Sequence, residues 1–310
     1  LSVMLGVWIG TFSFATPYIG YPPPPDPKLA WTSPGHTSYY VDSVAGNDAA
    51  DGRSEPTAWK TLARVNNGIF GPGDRVRLKA GSSWSGYLAP GYLRSADKAT
   101  FIIEPYGSGA KPAVKGEGRY LAAVMLLNVE HCRVRGLDVS NQGPVRVAGL
   151  SGVSVRLFNF GIGRDIELRD LDIHDVYGSL VNAEGGGRGI HLRCSDDPDS
   201  EKHSRFDGLL IEGCHLVRCD RNGINQGGSS ARDMDQERPS DQKLLYPNRN
   251  VVIRNNVLED IGGSGIVPIA CEGAIVEHNI LRGGRRRCDD YAAGIWPWGC
   301  DNTVIQFNEV

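Results

Sequence analysis

The sequence predicts a right-handed parallel β-helix, a solenoid of stacked strand coils with a short N-terminal capping helix. Three observations predict it. The first is a repeated motif: an apolar residue, then a second inward residue three positions on, then an apolar residue two further. It reads Val134-Arg-Gly-Leu137-Asp-Val139 and Leu168-Arg-Asp-Leu171-Asp-Ile173. It recurs at Ile211, Ile253, Val276 and Ile305. The second is a Gly-Ile pair between these motifs, at Ile190, Ile224, Ile266 and Ile295. The third is their spacing. Ile211 to Ile224 and Ile253 to Ile266 are both 13 residues, whereas Ile266 to Val276 and Ile295 to Ile305 are both 10. A bare coil is therefore 23 residues, a period that reads as a repeat architecture. No coil of that length buries its own apolar face, so stacking must supply the core. The offsets are too regular for a sandwich, and the Leu-x-x-Leu-x-Leu-x-x-Asn signature of leucine-rich repeats is absent.

Each element can be justified in chain order. Residues 1–15 are apolar and uncharged, and Ser13-Phe14-Ala15 places small residues where a secretory cleavage site needs them. They read as a signal peptide without its start, which implies a secreted or cell-surface protein. No later stretch is long and apolar enough to span a membrane. Residues 16–37, with Tyr21-Pro22-Pro23-Pro24-Pro25, read as an extended Pro-rich arm outside the core. A strand at Tyr39–Val41 follows. The turn-forming run from Gly46 to Gly52 offers oxygen ligands compatible with calcium, but lacks the spacing of a dedicated calcium loop. Trp59, Leu62 and Val65 share a helical face, which places a short capping helix there. Val76–Leu78 is a strand. Residues 38–310 then form the solenoid, with insertions at 174–188, 193–205, 226–249 and 282–293 and a last motif cut by the chain end. Asn256, Asn279 and Asn308 fall at one place in three successive coils, where stacked amides can bond coil to coil as an asparagine ladder.

Composition narrows the function. The net charge of −3 argues against a nucleic-acid partner. Seven cysteines leave at least one thiol unpaired, and no CxxC pair suggests structural zinc. Cys271 and Cys300 each sit five residues after a Gly-Ile isoleucine, so they stack in neighbouring coils as a disulfide or as two thiols. Nothing calls for more than a monomer.

The stretch Tyr40-Val41-Asp42, Gly46-Asn47-Asp48, Asp51-Gly52, Pro56, Trp59-Lys60-Thr61-Leu62, Gly73-Asp74, Val76 and Leu78 resembles the opening of secreted pectate-lyase-like β-helix proteins. With the later coils it is similar to the right-handed β-helix group of polysaccharide lyases and glycoside hydrolases. That resemblance spans most of residues 39–310. It implies binding and cleavage of a polysaccharide, often an acidic one. No complete catalytic motif of one such family is present, and fold does not fix function.

The phasing does nominate a face. If the Gly-Ile isoleucines point inward, then His191, Asn225, Val267 and Trp296 form one outward column. Arg193, Gly227, Ile269 and Trp298 form a second. The glycines leave a low strip, read here as a groove floor walled by the insertions. Trp296 and Trp298 on one face offer a platform for sugar rings. Arg193, Asn225 and Tyr291 join them as substrate-binding candidates. A glycoside hydrolase needs two carboxyl groups, drawn here from Asp220, Asp289, Asp290, Glu272 and Asp301. A lyase needs a base and a cation beside a uronate carboxylate. Arg221, His191, Arg193, Lys202, His203 and Tyr291 are the local options. Asp220-Arg221, just before Gly223, is the favoured spot, with His191, Asp289 and Asp290 as further catalytic candidates. A non-catalytic adhesin or glycan-binding module is the alternative. His174, His215 and His278 lie off this face and read as structural.

Overall fold

A computed structural model describes residues 20–197, 199–227 and 245–310. The expected signal peptide and most of the 226–249 insertion lie outside them. The described chain is almost entirely β, with one short α-helix, Leu62–Asn66, and two single-turn 3-10 segments. Its strands fall mainly into three sheets, every pairing of which is parallel. The chain visits the sheets in turn and returns one place along each. The long sheet runs from Ser38–Val41 to Val304–Gln306, the second from Ser83–Ser85 to Ile280–Arg282, the third from Ala122–Leu127 to Ile266–Pro268.

The register follows the repeated motif. In the long sheet Val134 pairs with Leu168, Leu168 with Ile211, Ile211 with Ile253, Ile253 with Val276, and Val276 with Ile305. In the third sheet Ile190 pairs with Ile224, Ile224 with Ile266, and Ile266 bridges Ile295. The column reaches further back than the Gly-Ile mark, through Val153, Val124 and Leu88. These columns fill one continuous interior cluster in which most side chains are fully buried. Each such side chain contributes about 2 kcal/mol relative to exposure.

A left-handed backbone residue turns six successive coils from the long sheet into the second. Gly136, Asp170, Gly213, Asn255, His278 and Phe307 occupy that place, with φ between 51° and 65°. Only glycine takes it freely; the others cost about 1 kcal/mol each. The next residue points inward. Leu137, Leu171 and Cys214 hold it in the earlier coils, buried among apolar neighbours. From there on it is asparagine. Asn256 Nδ2 donates to Asn279 Oδ1 at 2.9 Å, and Asn279 Nδ2 to Asn308 Oδ1 at 2.9 Å. Both amides also donate to strand carbonyls, Ile211 O and Ile253 O.

The glycine of the Gly-Ile pair serves packing rather than a groove. A side chain at Gly223 would stand 2.4 Å from Leu258 Cδ2 and 2.8 Å from Gly265 O. One at Gly189 would meet Leu216 and Gly223 O, and one at Gly265 would meet Leu281 and Gly294 O. Leucines of the second sheet fill the space the glycines vacate, so the low strip is occupied from inside.

Two N-terminal expectations change. The helix begins at Leu62, not Trp59. Trp59 instead bridges Val41 and lies stacked on Tyr39 at 5.0 Å, inside an aromatic cluster with Trp31 and Phe70. The arm is also not wholly outside the core. Trp31–Thr32 is a strand paired with Gly68–Ile69, and the Trp31 ring packs into that aromatic plug. In the Gly46–Gly52 turn, Asp48 accepts from the backbone of Lys60 and Thr61 and from the Thr61 hydroxyl. No group of three or more metal-ligating side chains occurs among the described residues. No helix among them is long and apolar enough to cross a membrane.

The outer faces of the first two sheets are sealed by ion pairs. On the long sheet Glu104 takes Arg75 and Arg135, Glu167 takes Arg133 and Arg169, and Glu212 takes Arg169 and Arg254. On the second sheet His174 lies between Asp138 and Asp175, and Asp175 also holds Arg218. His215 meets Glu259 at 2.9 Å, and the His278 ring stacks on Phe307.

Two outcomes follow from this packing. Asn279→Ala should lower the unfolding free energy by roughly 3 kcal/mol, because buried donors on Asn256 and the Ile253 carbonyl lose their partner. Denaturant titration measures it. The Asp138 and Asp175 carboxylates hold His174 at a pKa of about 9, above its ordinary 6.5. Its contribution is therefore complete below pH 6.5 and lost as pH rises through 9. The stability gap between wild type and His174→Gln should close over that window in thermal unfolding.

Candidate functional site

The outer face of the third sheet differs from the other two. Its strands are Ala122–Leu127, Ser151–Phe158, Arg188–Ser195, Asn222–Gly227 and Ile266–Pro268. Alternation from the buried isoleucine column sends the intervening residues outward. Met125, Ser154, His191, Asn225 and Val267 align in one outward column. Leu127, Arg156, Arg193 and Gly227 align in the next, which Ile269 and Trp298 continue. The face is thus apolar at one end, cationic in the middle and aromatic at the other end.

The first outward column is covered rather than open. His191, Asn225 and Val267 are each less than a tenth exposed. Val267, Ile269 and Ala270 form a small apolar cluster of their own, apart from the interior. A uniformly open floor is therefore corrected. Arg193 stays exposed. Trp296 and Trp298 are 39% and 40% exposed, enough ring surface to meet a sugar face. Their amides donate to Ile266 O and Pro268 O, which fixes the segment against the preceding coil.

Asp220 and Arg221 do not pair with each other. Asp220 is buried and takes Arg146 at 2.8 Å and Arg287 at 3.3 Å. Burial raises its carboxyl pKa, while Arg146 and Arg287 oppose the shift. Arg221, also buried, turns the other way. It meets Asp290 at 3.0 Å, and it donates to the Tyr291 carbonyl and to Asn222 Oδ1. The insertion at 282–293 brings these groups together. Its backbone amides from Arg285 to Cys288 bond to the carbonyls of Ile261, Gly262 and Gly263. Gly262 and Gly263 lack side chains because Asp220 and Arg221 occupy that space. Tyr291 is 86% exposed beside them, and Asp289 is exposed.

Other candidates fall elsewhere. Glu272 belongs to a strand paired with the long sheet and holds Arg249, and Asp301 bridges Glu272. Neither faces the third sheet. Lys202 is exposed in a turn, its backbone bonded to Ser200, and the His203 ring stacks on Tyr246 at 3.7 Å. All seven cysteines are free thiols; the Cys271 amide donates to Cys300 Sγ at 3.4 Å.

The reading from sequence passed over four residues. Arg146 and Arg287 complete the Asp220 cluster through contacts 74 and 67 residues away, which no local motif signals. Ser154 and Arg156 were within reach. Gly152-Val153 is one more Gly-apolar pair in the same column, masked because its apolar residue is valine.

His191 is held neutral. Burial drives its pKa well below the ordinary value, and Arg188, Arg193 and Arg156 push the same way. Burial likewise pushes Arg188 down to about 10. The face therefore holds a neutral imidazole, three guanidinium groups, an ion-paired aspartate and two exposed indoles. That is an inventory for holding a polar, ring-bearing ligand.

Comparison with known proteins points the same way. No protein-family model matches the chain. The lacto-N-biosidase of Bifidobacterium longum subsp. longum is 26% identical over an alignment of 365 residues, which takes in 91% of this chain and 23% of that protein. The crystal structure of a GH136 lacto-N-biosidase from Eubacterium ramulus superposes with a TM-score of 0.77 at 29% identity. It covers 88% of this chain and 51% of the other, as does its selenomethionine derivative. The chain thus spans less than a quarter of the curated relative and about half of the solved one.

Asp220→Asn should lower stability by about 2 kcal/mol, since two guanidinium groups would lose their shared carboxylate. Thermal unfolding of that variant, set beside Arg287→Gln, reads it.

Proposed function

We propose that this chain is the glycan-cleaving part of a secreted glycoside hydrolase similar to the lacto-N-biosidases, working on the outer face of the third sheet. The observation that carries this reading is the similarity to the solved GH136 lacto-N-biosidase, at 29% identity over 88% of the chain. The stacked parallel sheets are read as a right-handed β-helix, the hand that parallel strand crossovers adopt almost without exception. The asparagine amides at its turn are read as its ladder. The substrate would be a glycan ending in a lacto-N-biose unit, held as a monomeric enzyme holds it, by Trp296, Trp298 and Tyr291. Asp290 is the carboxylate best placed to face it, half-open and oriented by Arg221. Asp220, sealed behind Arg146 and Arg287, positions that corner rather than touching the sugar. Asp289 is the nearest second carboxyl in sequence.

One observation favours a second reading, β-elimination. A neutral His191 with three arginines around it supplies a base and a counter-charge for a uronate carboxylate.

A panel of chromogenic lacto-N-bioside, neutral glycans and uronate polymers separates the readings. Released chromophore or reducing ends without new ultraviolet absorbance means hydrolysis, and absorbance of an unsaturated uronate means elimination. Binding with neither leaves a glycan-binding module. Under the hydrolase reading Asp290→Asn should cut turnover by about 100-fold or more. Trp296→Ala with Trp298→Ala should raise KM with little change in kcat.

A further inference from the structure

Three arginines on or beside the outer face of the third sheet have no ion pair among the described residues. Arg156 and Arg193 are register partners on adjacent strands, so their backbones lie ~4.8 Å apart. Arg188 opens the same strand as Arg193. It is largely buried, its guanidinium donates to the Gly185 carbonyl, and its Nε is buried without a partner. Ser154, 1% exposed in the neighbouring outward column, likewise has a hydroxyl with no partner. Among the described residues, the charged groups that bear on His191 are Arg188, Arg193 and Arg156.

Stacking in register puts like charges at the worst separation, and their repulsion is not relieved by solvent where they are buried. The long sheet shows how this protein handles that problem, with a glutamate between arginines on successive coils. Among the described residues no glutamate or aspartate intervenes here; the neighbouring column supplies a serine and a neutral histidine. The donors that remain are planar forks suited to two-point capture of a carboxylate or sulfate.

The surroundings fit a sugar. A cavity of about 620 Å³ lies between Tyr21–Pro25 of the arm and this face, and Tyr92, Leu127, Phe158 and Arg156 line it. The Tyr21 ring sits 4.2 Å from the Arg156 guanidinium carbon. Apolar walls with one charged end suit a ring that carries an acidic substituent.

We propose that Arg156, Arg188 and Arg193, with Ser154, form a subsite for an acidic sugar residue, whose carboxylate or sulfate ester enters among the three guanidinium groups. This rests on the glycan-active reading of the face. It adds that the glycan taken is a negatively charged one, or a neutral one bearing a charged branch.

Calorimetric titration with N-acetylneuraminate, glucuronate, galactose 6-sulfate, galactose and inorganic sulfate tests it. At least one acidic sugar should bind about tenfold more tightly than galactose. Arg193→Gln and Arg156→Gln should each remove most of that preference and leave the unfolding temperature unchanged. Which acidic sugar binds tells carboxylate from sulfate ester. Equal affinity for galactose and all acidic sugars overturns the proposal. So does inorganic sulfate binding as tightly as the best acidic sugar, which would make this a site for a free anion. Binding is read without turnover, so absence of hydrolysis would sink the hydrolase reading while leaving this result intact. Hydrolysis without acidic preference would do the reverse.

Discussion

The main sheets of this protein are built between coils, not within them. Every strand pairing in them joins residues on different coils, in parallel and in register. The strand hydrogen bonds of a coil are therefore satisfied by the coils above and below it. All else is subordinate to that. Apolar columns must stack like on like, turns must fall at one place, and each outward residue inherits the neighbours its register dictates. The left-handed turn residue and the stacked amides of Asn256, Asn279 and Asn308 maintain the phase where the chain leaves one sheet for the next.

This explains which parts were legible in the sequence. A register with a fixed period writes itself as spacing, so the Leu168–Ile211–Ile253–Val276 and Ile190–Ile224–Ile266 alignments could be counted from sequence alone. The meaning of the glycines could not. They look like an open strip until the leucines of the second sheet are seen to fill them. The Asp220 cluster was beyond counting too. Arg287 arrives on the 282–293 insertion and Arg146 on the segment between Asn141 and Ser151, and neither carries a period. Trp59 was misplaced for a third reason: a helical face and a buried aromatic plug read the same over seven residues.

The distribution of charge separates scaffold from site. On the long sheet arginines and glutamates share the outward columns, and even where Arg135 stacks on Arg169 each has a glutamate, Glu104 or Glu212, to pair with. Such exposed pairs contribute little individually, but they leave the surface without a field of either sign. The third sheet breaks that rule at Arg156, Arg188 and Arg193. In a chain of net charge −3 a local cationic surplus is a departure that the rest of the molecule compensates.

The bare coil from Ile253 to Val276 has a wider meaning. It contains 23 residues and still pairs on both sides without a break in register. Longer coils pair with the same neighbours by the same rules, although Leu168 and Ile211 are separated by 43 residues. Coil length and coil stacking are therefore independent variables. Loops can grow at the corners without shifting the register of the interior columns. A scaffold of this kind separates inheritance of the core from diversification of the rim.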